Sequence, residues 1–471
     1  MPINPSNMRV VDVARLLNST SFGFVLPQAR LYREFNRVGF RIGSSENPRN
    51  INLLKYIAWM FDRKHTPEET SGARSYEDRR NAERDRQAEQ SLAGRDIGPL
   101  PEVVNPDRKA ACERNFQLFC ESYFPETYAL AWSPDHLKVI EKIETAVLRG
   151  GLFALALPRG SGKTTITESA ALWSMLYGHR EFVVLIGATE SAALELLDSL
   201  KTELEVNERL AEDFPEVCYP VAQLEGIANR CAGQLYKGER TRITWTSNEI
   251  VLPTVEGSRT SGIIVRVAGI TGRIRGMKFK RSDGRNVRPS LVVIDDPQTS
   301  ESAGSLEQTR KRVRVLAGDI LGLAGPGQKI SGIMPCTIIR PGDMADIILN
   351  RNTHPDWNGE KTRMVYRFPS NMKLWEEYAE IRAEALRTEG NFQKATEFYL
   401  ANREAMDAGA EVSWEARFNH DEVSALQHAM NLKFQDEAAF MSEYQNDPLP
   451  DDTADDSLLS VDEICAKING L

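Results

Sequence analysis

Residues 155–165 read Leu-Ala-Leu-Pro-Arg-Gly-Ser-Gly-Lys-Thr-Thr. The apolar run Phe153 to Leu157 enters a glycine-rich turn, and Ile166, Ala170, Leu172, Trp173 and Leu176 follow with mostly helical spacing. Strand, turn and helix in that order are the setting in which backbone N–H groups wrap a triphosphate. Gly160 and Gly162, on either side of Ser161, let the chain curl. Lys163 then reaches the β- and γ-phosphates of ATP, and Thr164, followed by Thr165, offers a hydroxyl to Mg²⁺. The helix that starts near Lys163 aims its positive end at the same anion. The usual spacing places glycine at 157, where this chain has Leu157, so the reading leans on the flanking strand and helix. Arg159, inside the loop, either neutralises charge developing on the triphosphate or is a surface arginine on a turn.

The second nucleotide element is Ser290-Leu291-Val292-Val293-Ile294-Asp295-Asp296. Four apolar residues form a buried strand with two acids at its carboxyl end, where ligands bind in open α/β sheets. Asp295 is assigned to the Mg²⁺ shell opposite Thr164. Asp296 orients or activates the attacking water, with Glu301 as the rival. Upstream, Trp132-Ser133-Pro134-Asp135-His136 opens a helix running to Val147. There His136 either touches adenine or belongs to a helix start capped by Ser133 or Asp135. A further strand, Ile330 to Met334, ends in small polar residues. Thr337 is the first choice and Ser331 the second for a group that senses the γ-phosphate, against an ordinary buried strand end. Between the loop and the acids lies the basic stretch Arg273, Arg275, Lys278, Lys280, Arg281, extended by Arg285 and Arg288. It grips DNA, supplies an arginine to a neighbouring subunit, or is a solvated loop.

The 471 residues carry a net charge of −9 and 41% hydrophobic residues, which allows two or three domains with a sizeable core. An acidic chain does not coat DNA everywhere, although clustered Lys and Arg still bind phosphate. The six cysteines show no metal spacing with histidine and read as reduced thiols of a cytosolic protein. No apolar run has the length of a membrane span, and the amino terminus has no signal-peptide pattern.

Residues 1–72 read as a small helical module. Its helices lie over Val11–Asn18, over about Pro27–Val38 with Gly39 as the terminator, and over Ile51–Phe61; Phe40–Gly43 reads as extended. With Arg30, Arg33 and Arg37 on the second helix, the module is either a DNA-reading helix-turn-helix or a docking bundle. Residues 73–105 are a charged linker. From 106 to 370, the runs Phe153–Leu157, Phe182–Ile186, Ile263–Val267, Leu291–Ile294 and Ile330–Met334 alternate with helical segments. This predicts an α/β core with a mainly parallel sheet, a P-loop NTPase. Residues 371–450 form a helical subdomain, and 451–471 are an acidic tail.

Together these residues resemble the large terminase subunit of tailed bacteriophages. The resemblance rests on the loop with Arg159, on Gly187-Ala188-Thr189-Glu190-Ser191-Ala192-Ala193, and on Gly272–Gly276 leading through Arg288 to Asp296. Ser331–Thr337 and Phe440-Met441-Ser442-Glu443-Tyr444-Gln445-Asn446-Asp447-Pro448 complete it. It implies an additional-strand, helicase-like ATPase using ATP and Mg²⁺ to drive double-stranded DNA into a procapsid in the host cytoplasm. It also implies a homo-oligomeric ring on the portal protein and a small terminase subunit as partner. The nuclease domain of that family has no counterpart here, so no nuclease activity is expected of these residues. Two other functions fit. One is a helicase-like or defence ATPase. The other is a nucleotide-regulated DNA-binding adaptor without turnover, left open by Asp296 where many such ATPases carry glutamate.

Overall fold

The computed structural model describes residues 4–19, 27–47, 49–62, 95–281, 283–325 and 327–450. The turn expected after Asn18, most of the charged linker and the acidic tail lie outside them. Backbone contacts divide the chain into two units. One comprises residues 1–102, 214–244 and 253–256; the other comprises 103–213, 245–252 and 257–471.

The larger unit is built on an eight-stranded, mostly parallel sheet. In chain order its strands are β1 (Leu152–Ala156), β2 (Phe182–Gly187), β3 (Thr244–Trp245), β4 (Glu249–Val251), β5 (Ile264–Gly269), β6 (Leu291–Asp295), β7 (Ser331–Cys336) and β8 (Glu360–Lys361). Across the sheet the order is β8-β1-β7-β6-β2-β5-β4-β3. The five apolar runs read from the sequence are the five neighbouring strands β1, β7, β6, β2 and β5, all parallel. Strand β4 turns back, antiparallel to β5.

Register decides what the sheet can do. Ala156 pairs with Cys336, Asp295 with Gly187, and Gly187 with Gly269. The carboxyl ends of the strands therefore form one rim. Their amino ends, Leu152, Ser331, Leu291, Phe182 and Ile264, form the other. Strand β7 stands between β1 and β6, so the glycine loop and the acid pair leave the sheet on either side of it.

Both faces of the sheet are covered, which is why its strands are nearly all apolar. Ala154, Val184, Ile186, Val292, Ile294 and Met334 sit in one buried cluster. The helix Lys163–Leu176 is buried on most of its surface, including Trp173 at 0% exposure. Three helices of the later part of the chain, Met372–Thr388, Gln393–Ala401 and Ala425–Gln435, belong to this same unit and share a core of Trp375, Tyr378, Tyr399 and Met430.

The smaller unit contains the helices Val10–Asn18, Gln28–Ile42 and Leu53–Asp62, packed around Val13, Leu31, Ile42, Ile51 and Tyr56. The second helix runs through Gly39, the expected terminator, and Phe40–Ile42 is helical rather than extended. Burying a whole isoleucine side chain is worth about 2–3 kcal/mol, more than the ~1 kcal/mol that glycine costs a helix. Ile42 is fully buried, and its carbonyl accepts the Asn52 N–H at 2.9 Å. Arg33 donates to Glu225 at 2.9 Å within this unit; the side chains of Arg30 and Arg37 are not among those described.

Candidate functional site

The loop from Leu157 to Gly162 leaves the carboxyl end of β1. Its first N–H, on Leu157, donates to the Cys336 carbonyl at the end of β7 at 3.2 Å. Leu157 is itself buried, so the position that departs from the glycine pattern carries an apolar side chain into the interior. Gly160 and Gly162 both adopt left-handed backbone, φ 74° and 75°, which a side chain resists. Gly162 is the residue at which the helix Lys163–Leu176 begins. The first helical N–H groups have no intrahelical acceptor.

Five side chains from three parts of the chain meet beside this turn. Thr164 donates its hydroxyl to Asp295 Oδ2 at 3.0 Å. The Lys163 ammonium lies 2.8 Å from Asp296 Oδ2 and also donates to the Thr337 hydroxyl. Thr337 follows β7, the strand between loop and acids, and so fills the gap between them. Asp296 holds left-handed backbone at φ 36°, with its N–H on the Pro335 carbonyl at 3.1 Å. A non-glycine residue there carries strain of about 1 kcal/mol or more, of the kind that collects at functional sites.

Asp295 Oδ1 is buried with no hydrogen-bond partner. Burial, then the neighbouring Asp296 charge, push the Asp295 carboxyl up to about 6, against the opposing Thr164 hydrogen bond and Lys163 charge. The Ser161 hydroxyl is likewise buried and unpartnered. An unmatched carboxylate oxygen beside a threonine hydroxyl fits a small dication that takes its other ligands from water and phosphate. Among the described residues no group of three or more His, Cys, Asp or Glu side chains surrounds a point, so the protein itself would supply few ligands.

The remaining predicted residues go elsewhere. Glu301 is exposed on the short helix Ser300–Ala303 and takes no part in the bonds that join loop and acids. His136 is buried; its ring bonds the Ser133 cap and, through Nε2, the Ser161 carbonyl at 2.9 Å. It braces the loop against the start of helix Pro134–Leu148, and burial lowers its pKa. The aromatic surface next to it, Trp132, Tyr366 and Trp414, lines a cavity of about 490 Å³. The Thr165 carbonyl accepts the Tyr128 hydroxyl at 3.1 Å. Arg159 points outward, 68% exposed, with Glu443 3.5 Å from its guanidinium. Ser331 opens β7 at the opposite rim, five residues before Cys336, or about 16 Å along a strand; the sheet keeps it apart from Lys163.

The basic stretch does not act as one patch. Arg273, Arg275 and Lys278 leave the carboxyl end of β5, where Ile274 and Met277 anchor the loop in the core. Arg275 is paired with Asp319. A ribbon pairing Phe279–Lys280 with Asn286–Val287 then precedes β6. Arg281 is tied to the Ser261 carbonyl and lies 3.4 Å from Glu181, so Arg285 and Arg288 fall at the amino rim.

Three further residues join the site: Glu168 and Arg417, which stand in no motif, and Glu443, from the segment Phe440–Pro448. Glu168 follows Thr164 by one helical turn, a spacing that puts both on one face. Burial and then the Asp295 charge raise its carboxyl to about 7, against a Ser199 hydrogen bond. Arg417 donates to the Arg159 carbonyl and stacks 5.5 Å over Tyr444. Glu443 accepts the Arg159 N–H on its carbonyl at 2.7 Å. The loop is thus held by two stretches more than 250 residues away, and nothing in the residues around Arg159 announces either contact. No known protein-family model matches the chain, and no curated protein matches it.

Proposed function

We propose that this chain is a Mg²⁺-dependent ATP hydrolase whose turnover moves double-stranded DNA, a packaging motor of the terminase kind. The observation that carries the reading is the double contact across β7: Lys163 with Asp296, and Thr164 with Asp295. A glycine turn and a helix start on one side, and paired carboxylates on the other, are what a triphosphate needs at the end of a parallel sheet. The strand inserted between them agrees with an additional-strand ATPase.

When bound, Mg²⁺ would be held by Thr164 and Asp295 and would neutralise charge between the β- and γ-phosphates. The chain's own residues do the rest. Lys163, now neutralised by Asp296, turns to the incoming phosphates, because a triphosphate outcompetes one carboxylate for its charge. That releases Asp296 to accept a hydrogen bond from the attacking water. Thr337, bonded to Lys163 and 3.5 Å from Asp296, is placed to register which of the two partners Lys163 has chosen. Support for DNA as the partner comes from the segments that resemble terminases and from the exposed Arg273, Lys278 and Lys280.

The test is phosphate release from ATP with and without double-stranded DNA, run on the wild type, Asp296→Asn and Glu301→Gln. The reading expects Mg²⁺-dependent, DNA-stimulated release that Asp296→Asn abolishes and Glu301→Gln preserves. ATP that is bound and stays intact under all conditions sinks the motor and leaves the adaptor. Strand separation on a forked duplex would move the chain to the helicase class.

A further inference from the structure

At the amino rim of the sheet lies a second cavity, of about 660 Å³, outside the site just described. It is bounded by the segments that lead into three adjacent strands: His179–Glu181 before β2, Arg285–Ser290 before β6, and Gln328–Lys329 before β7. Its walls carry more positive than negative charge. Arg180 is spent on the carbonyls of Ala146 and Val147, at 2.6 and 2.7 Å, and forms a fixed wall. Arg285 shares Asp283 and Glu181, at 2.8 and 3.8 Å. Arg288 and Lys329 are exposed and have no acidic partner among the described residues. The Arg288 stem lies against Gly325, where a Cβ would come within 2.8 Å of its Cδ, so its charge is held at the cavity.

We propose that this rim binds consecutive phosphates of a nucleic-acid backbone, here double-stranded DNA. The ligand must be anionic, because unpaired cations in a chain of net charge −9 mark a place where the local field opposes the overall one. It is extended rather than a single phosphate, for two reasons. First, backbone N–H groups that would converge on one anion are already used: Ser290 donates to the Phe182 carbonyl at 2.9 Å and Ser331 to the Ser290 carbonyl at 3.1 Å. Second, three adjacent strand entries span about 10 Å, wider than a single phosphate and enough to meet two successive phosphates of one strand. The inference rests on the DNA-handling part of the proposed function and is independent of hydrolysis. The rim lies a full strand length from Lys163.

The experiment is anisotropy of a labelled random-sequence duplex titrated with the whole chain, without nucleotide, at several salt concentrations from about 50 to 200 mM. Arg288→Glu/Lys329→Glu is compared with the wild type and with Lys373→Glu/Lys394→Glu, the same charge change on exposed helical positions elsewhere in the larger unit. The slope of log affinity against log salt falls by about 2 in the rim variant and holds in the control. The milder Arg288→Gln/Lys329→Gln lowers it similarly. An unchanged slope in both rim variants, an equal loss in the control pair, or no duplex binding by the wild type overturns the proposal. Inorganic phosphate displacing the duplex beyond its effect as salt also overturns it, since the site would then be a single-phosphate pocket. Because no ATP is present, a chain that hydrolyses nothing still answers.

Discussion

Two places on the sheet treat charge in opposite ways: the meeting of loop and acids at the carboxyl rim, and the cavity at the amino rim. Where the glycine loop meets the acid pair, at the carboxyl rim, each charged group has a partner within hydrogen-bond reach: Lys163 has Asp296, and Asp295 has the Thr164 hydroxyl. These groups are partly or wholly buried, where an unmatched charge is costly. The unmatched carboxylate oxygen, Asp295 Oδ1, is therefore informative. At the amino rim Arg288 and Lys329 stay in water, where an unpaired cation costs little. An incoming anion can split a half-buried charged pair by competing for its cation, whereas exposed unpaired cations are open to a polyanion as they stand.

The largest effect should come from Lys163→Ala. Removing the ammonium that joins the loop to the acids should cut phosphate release by about 10²–10³-fold. Near-normal release would show that the pairing of Lys163 with Asp296 is merely structural.

Asp295→Asn should come next, with loss of Mg²⁺-dependent release and a distinct pH signature. The folded carboxyl titrates near 6 rather than its ordinary 3.8. Between those values the native state binds more protons than the unfolded one, so this group adds stability as pH falls from about 6 to 4 and withdraws it as pH rises. Denaturation midpoints of the nucleotide-free wild type, relative to Asp295→Asn, should therefore rise on acidification across that window. Release should fall over the same window, since the dication needs the carboxylate. A flat difference between wild type and variant would refute the burial argument.

Thr337→Ala and Ser331→Ala form a matched pair at the two ends of β7. Loss of the hydroxyl bonded to Lys163 should slow release about tenfold, the worth of a hydrogen bond to a charged group. Ser331→Ala should leave the rate unchanged. Equal effects in initial-rate assays would show that position along the strand does not matter.

The smallest change is expected of Arg417→Ala. It removes one of two bonds that hold the Arg159 backbone, worth about 1 kcal/mol. The KM for ATP should rise a few-fold with little change in kcat, and a fall in kcat alone would make Arg417 more than a brace.

The chain's own order of residues determined a good deal. The five apolar runs, the left-handed glycines, the helix start at Lys163 and the acid pair ending β6 are consequences of short-range chemistry. Apolar side chains seek burial, glycine alone tolerates the turn, and a strand ends where acids need water. Thr337 could be proposed because it follows such a run. Tertiary structure decided which of these meet. The order β1-β7-β6 put Thr337 against Lys163 and sent Ser331 to the far rim. The fold broke one basic stretch into two ends, and Arg417 closed on the loop from far along the chain. Those contacts depend on how strands cross over and which faces must be buried together. No window of neighbouring residues encodes that, because the free energy that selects it is shared by the whole core.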